Sequence, residues 1–255
     1  MFYYFICMLA GIGAGVGTGL AGMSAAAVIS PMLIAFLNFE PYEAVGIALA
    51  SDVLASAVSA YTYGKSKNLD LKNGIYMLIS VLVFTFTGSY LASFVSGKTM
   101  GNTAVIATIF IGIRFIFKPV MATENELEQK SKKERIVRSL LCGIPIGFIC
   151  GFVGAGGGMM MLFILTSVLG YQLKTAVGTS VFIMTFTALT GAVSHFMIGE
   201  MPDTKALIVC VVSTFIAARI TALFANKASP KTLNRVAGGV LIVVGIATII
   251  AKYIM

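Results

Sequence analysis

Backbone amides left unpaired at a helix start attract anions, because free N–H groups and the helix dipole both favour negative charge. The stretch Gly151-Phe152-Val153-Gly154-Ala155-Gly156-Gly157-Gly158 has the makings of such a place. Glycine in a helix interior is roughly 1 kcal/mol less favourable than alanine, so this density predicts a break in the apolar run that carries it. Inside a bilayer, broken backbone is tolerated only where protein or a water-filled cavity satisfies the freed groups. Gly154, Gly156, Gly157 and Gly158 are therefore expected to bring amides up to an anion; the competing use of glycine in membranes is close helix packing. Thr179 and Ser180, in Ala176-Val177-Gly178-Thr179-Ser180, would add hydroxyl donors to the same ligand, or else bond the preceding turn of their own helix.

Two charged side chains lie in apolar surroundings. Asp52 stands near the middle of the run 42–63, and an ionisable group at that depth marks a functional site by default. It is a candidate for carrying a coupling proton, or for holding the first broken segment by hydrogen bonds. Arg219, about two-thirds along its run, would pair with an anion or with Asp52 if it faces inward, and would snorkel to the interface if it faces out. His195 is the lone histidine, so no histidine metal site is expected. Cys7, Cys142, Cys150 and Cys210 lie in apolar segments without metal-ligand spacing and read as small buried hydrophobes. Neither GxxxxGK[ST], GxSxG nor HExxH occurs. The chain is read as a non-enzyme without cofactor or metal.

The elements that must position these residues are membrane helices. Of 255 residues, 58% are hydrophobic and only 11% charged, against about 25% charged in soluble domains. The net charge of +8 sits mainly in short loops between apolar runs, an orientation signal rather than a nucleic-acid footprint. The apolar runs cover 3–37, 42–63, 74–96, 102–118, 139–169, 175–198, 204–225 and 233–254. A straight helix of 35 residues is about 52 Å long, well beyond a hydrocarbon core of about 30 Å. The first and fifth runs must therefore tilt steeply, break or turn back.

Laid on each other, those two runs show an internal repeat. At an offset of 132, Gly11 meets Gly143, Gly15 meets Gly147, Gly19 meets Gly151, Gly22 meets Gly154, and Ala44-Val45-Gly46 meets Ala176-Val177-Gly178. Towards the ends of the halves the offset becomes 133, matching Lys98-Thr99 to Lys231-Thr232 and Gly112 to Gly245. The organisation read from this is a first half at 1–118, a polar cytoplasmic linker at 119–138 forming a short amphipathic surface helix, and a second half at 139–255. Eight single crossings would leave Lys98, Lys174, Lys227, Lys231 and Arg235 on the side away from the linker. Re-entrant hairpins in runs one and five would leave only Lys98, Lys205 and Lys252 there, and the positive-inside rule prefers that. The expected fold is an all-α polytopic membrane protein with two homologous halves in an inverted repeat. Each half has a long Gly-broken or re-entrant first segment followed by three transmembrane helices.

At Gly151–Gly158 and Ala176–Ser180 the sequence resembles the TauE/SafE family of sulfite and organosulfonate exporters, and with the duplicated half the likeness covers nearly the whole chain. The resemblance implies a multi-pass secondary transporter of the cytoplasmic membrane that moves a small sulfur-containing anion, such as sulfite or a sulfonate. Broken segments meeting at mid-depth would supply alternating access. An anion channel and a non-transporting membrane protein are the alternatives. The implied partners are the lipid bilayer and that anion, with a homo-oligomer left open. The first half departs from the pattern, reading Gly19-Leu20-Ala21-Gly22-Met23-Ser24-Ala25-Ala26, with Ser24, Ala25 and Ala26 where the second half has Gly156, Gly157 and Gly158. Gly22 and Ser24 are its expected contributions to binding.

Overall fold

The computed structural model describes residues 1–92, 110, 113, 116–117, 126–153, 157–198 and 202–254. The described residues are helical, with no strand among them. In chain order the helices are α1 (Phe2–Ala21), α2 (Ala26–Leu37), α3 (Pro41–Lys65), α4 (Leu71–Ala92), a 3-10 turn at Glu126–Gln129, α5 (Lys132–Val153), α6 (Gly157–Ser167), α7 (Leu173–Ile198), α8 (Thr204–Lys227) and α9 (Pro230–Ile254). Among the described residues, α1, α3, α8 and the Leu173–Met197 stretch of α7 are long and apolar enough to cross a membrane. The run at 102–118 falls almost wholly outside the described residues, as do Lys98, Thr99 and Gly112.

The helix boundaries have local causes. Asn38 ends α2 in the left-handed conformation at φ 54°, which asparagine tolerates better than most residues. Pro41 opens α3 at the position where a missing N–H does no harm. Asp203 caps α8 by accepting from the N–H groups of Lys205 and Ala206 at 2.8 and 3.1 Å. Burial pushes the Asp203 carboxyl up, but the Ala206 N–H, the nearby Tyr3 hydroxyl, and the N–H and charge of Lys205 together outweigh it and hold the group below the usual carboxylate range. Asp70 stands in the same relation to α4, accepting from the Asn73 N–H at 3.0 Å. α5 starts at Lys132, inside the polar stretch, where Glu134 and Arg138 form an i,i+4 pair at 2.8 Å. Good helix formers carry that charged turn straight into the apolar helix.

Helices far apart in sequence pair closely. α1 packs along α8, and α5 packs along α4. Glycines make both contacts close. A methyl built on Gly11 would lie 2.9 Å from the Cys210 carbonyl oxygen, and one on Gly15 2.8 Å from the Ala218 nitrogen. On α5, a methyl on Gly143 would lie 2.7 Å from the Met77 carbonyl oxygen, and one on Gly147 2.8 Å from the Val81 Cα. Lipid tails are as apolar as leucine, so close approach of this kind is a main source of helix association in membranes. α3 and α7 pack against each other at the centre. One core, including Tyr63, Met77, Ile146, Met161, Tyr171 and Val181, draws on both halves.

Candidate functional site

The first long run breaks at Gly22. Its φ of 61° is open to glycine without strain. Its N–H and that of Met23 close onto the Thr18 and Gly17 carbonyls at 3.0 and 3.3 Å, the usual way a helix end satisfies its last acceptors. The Thr18 hydroxyl lies 2.8 Å from the Met23 carbonyl oxygen and ties the turn down. Four residues on, α2 begins, with the Ala27 and Val28 N–H groups donating to the Ser24 and Ala25 carbonyls at 3.1 Å each, and Asp52 on α3 faces this start. The Ser24 hydroxyl donates to Asp52 Oδ2 at 2.7 Å and the Ser56 hydroxyl to Oδ1 at 2.9 Å. Ser24 Oγ in turn accepts from the Ala26 N–H at 3.3 Å. Asp52 is 1% exposed. The first helix start is thus faced by an internal carboxylate, a favourable pairing with its dipole.

In the second long run α5 is described to Val153 and α6 from Gly157; Gly154 and Gly156 lie outside the described residues. Gly157 is the first residue of α6. Gly158 touches the first break: a methyl built there would lie 2.7 Å from the Gly22 carbonyl oxygen, 2.8 Å from Met184 Sδ and 3.2 Å from the Ser24 nitrogen. The Ser180 hydroxyl packs onto Gly22 so tightly that a methyl on Gly22 would overlap it, while it donates to the Val177 carbonyl at 2.8 Å. Gly22, Ser24, Gly158, Ser180 and Asp52 therefore form one continuous set of contacts between α3 and α7. The set lies near mid-helix. Asp52 is eleven residues after Pro41 (52 − 41) and Met184 eleven after Leu173 (184 − 173). Met184 stands 132 residues after Asp52, and its sulfur lies against Gly158.

Thr179 lies elsewhere. Successive helix residues point about 100° apart, and Thr179 Oγ1 turns to accept from the Asp70 N–H at 3.2 Å. It belongs to a second buried polar cluster that the sequence reading missed. The Tyr171 hydroxyl donates to Asp70 Oδ2 at 2.8 Å, and the Asn73 amide donates to the same oxygen. Beside it Asn68 Nδ2 donates to Asn226 Oδ1 at 2.6 Å, and Lys174 Nζ donates to the Asn226 carbonyl at 2.7 Å. The available signal was the pair Asp70 and Asp203, 133 apart and each capping the helix that follows. At the opposite end of α3, Glu43 Oε1 accepts from the Asp203 N–H at 2.8 Å. His195 stacks on Tyr42 with ring centroids 4.4 Å apart. Arg219 is exposed on α8 and forms no ion pair among the described residues. No group of three or more metal-ligating side chains occurs among the described residues.

A family profile described as "Sulfite exporter TauE/SafE" matches residues 7–248. The chain is 26% identical over 258 residues to a probable membrane transporter protein of Methanocaldococcus jannaschii, covering 94% of this chain and 93% of that protein. A probable membrane transporter protein of Bacillus subtilis is 26% identical over 262 residues, covering 95% and 96%. Another from the same organism is 22% identical over 212 residues, covering 83% and 86%.

Proposed function

The chain belongs to the sulfite exporter TauE/SafE family of membrane transporters, and on that footing we propose that it is a secondary transporter of a small sulfur-containing anion across the cytoplasmic membrane. The observation that carries the reading is the contact near mid-helix between the first break and the glycine-rich stretch of the second run, where Gly158 touches Gly22 and Ser24 between α3 and α7. The start of α6 supplies N–H donors there, which suit an oxyanion. Gly154, Gly156, Gly157 and Gly158 bring backbone amides to the anion, and Gly22, Ser24 and Ser180 line its path. Asp52 carries the coupling proton.

The mechanism is alternating access by two inverted halves. Paired packing supports the repeat: Gly11 and Gly15 seat α1 on α8 as Gly143 and Gly147, 132 residues later, seat α5 on α4. Same-side hydrogen bonds support re-entrant first segments. Asn68 and Lys174 both reach Asn226, and Glu43 reaches Asp203. Eight single crossings would put residues 68 and 226 on opposite faces of the membrane.

Counterflow in proteoliposomes, with sulfite, thiosulfate, sulfate, sulfoacetate and taurine in turn, tests the reading. Saturable exchange of a sulfur oxyanion, driven uphill by a gradient of its partner, is the expected result. Flux that neither saturates nor accumulates would indicate a channel, and no movement of any of the five would remove this substrate class.

A further inference from the structure

From Thr204 to the last residue the sequence contains no aspartate or glutamate, while Lys205, Arg219, Lys227, Lys231, Arg235 and Lys252 all fall there. Arg219, Lys227, Lys231 and Arg235 are exposed around the Ala228–Ser229 turn that joins α8 to α9. Among the described residues none of these four enters an ion pair.

Arg219 is the informative one. It lies eight residues before Lys227 (227 − 219), about 12 Å along the helix axis. Its side chain can climb only part of that distance toward the polar layer. Its neighbours on the same outward face are Ile216, Ile220 and Leu223, exposed by 51%, 60% and 47%, so the face is one that meets acyl chains. An unpaired cation on such a face is costly. A water-borne anion has no route to it, whereas a phosphate tethered to acyl chains is already at that level.

We propose that Arg219, together with the cations of the α8–α9 turn, binds the phosphate of an anionic phospholipid on the outward face of α8. Arg219 anchors the headgroup from below, and Lys227, Lys231 and Arg235 complete a basic collar at the leaflet surface. This site is separate from the transport path and does not depend on the substrate assigned above.

The test uses the full chain in nanodiscs of phosphatidylcholine with or without phosphatidylglycerol, read by thermal unfolding and by native mass spectrometry of retained lipid. Phosphatidylglycerol is expected to raise the unfolding temperature and to remain bound. Arg219→Ala is expected to weaken its binding about fivefold, the contribution of one cation at an anionic membrane surface, and Arg219→Ala with Arg235→Ala further still. An exposed arginine contributes little to the fold, so both variants are expected to insert normally. Equal lipid retention by wild type and variants would overturn the proposal. So would an equal stabilisation of the wild type by inorganic phosphate, which would identify a soluble anion instead. A shift in oligomeric state on Arg219→Ala with unchanged lipid response would assign the face to a second copy of the chain.

Discussion

Replacing Gly158 by alanine inserts one methyl into its contact with the break at Gly22. That methyl would sit 2.7 Å from the Gly22 carbonyl oxygen, against 3.4–4 Å for ordinary contact. The two segments would have to separate by 0.7 Å (3.4 − 2.7) to accept it. Met184 Sδ, at 2.8 Å, can swing aside, but the Gly22 carbonyl and the Ser24 nitrogen at 3.2 Å belong to backbone held by the Thr18 hydrogen bond. Overpacking of this kind costs about 1–3 kcal/mol, offset only in part by the better helix propensity of alanine near the start of α6. If the strain falls on the transport step, about 1.4 kcal/mol slows it tenfold. The assay is initial-rate counterflow in proteoliposomes, alongside thermal unfolding in detergent. Gly239→Ala is the control, because a methyl there meets nothing within 4 Å and is expected to be neutral or slightly stabilising. Wild-type flux and stability in Gly158→Ala would refute this contact; equal damage in Gly239→Ala would refute the claim that the contact is the cause.

Asp52→Asn keeps the shape but removes the ionisable group, and it is expected to flatten the pH dependence of flux in proteoliposomes; an unchanged profile would remove the proton role. Tyr171→Phe deletes the hydroxyl that donates to Asp70 and leaves a buried carboxylate oxygen one donor short, for an expected loss of about 1–3 kcal/mol measured by thermal unfolding. Single cysteines at Asn68 and Asn226, in a background lacking the native thiols, are expected to react with an impermeant maleimide from the same side of the membrane. Labelling from opposite sides would rule out re-entrant first segments.

The membrane class and the all-helical fold were legible because apolar runs long enough to span a bilayer leave few other solutions. The position of the first break was also open to reading, since Gly22 is a residue that can take φ 61° unstrained. What a linear reading could not separate was the fate of adjacent residues on one helix. Gly178, Thr179 and Ser180 look like one motif, yet the helix turns Gly178 toward Asn68, Thr179 toward Asp70 and Ser180 toward Gly22. The partners of Asp52 were hidden for a different reason. Ser56 is one turn away and predictable from spacing, but Ser24 reaches it only because α1 and α2 fold back against α3. The Asn68, Lys174 and Asn226 cluster joins residues up to 158 apart, and no local pattern announces such a meeting. Where a charged turn precedes an apolar one, as at Lys132–Arg138, helix propensity joins the two into one element whose start composition does not mark.

The pairing of α1 with α8 sets an order for biogenesis. When α1 leaves the ribosome, the surface that will cover its glycine stripe at Gly11, Gly15 and Gly19 belongs to α8, which is still some two hundred codons from synthesis. The glycine stripe of α1 therefore has no close-packing partner until α8 has been made. Cutting the gene at the linker would yield two fragments that mature only when made together.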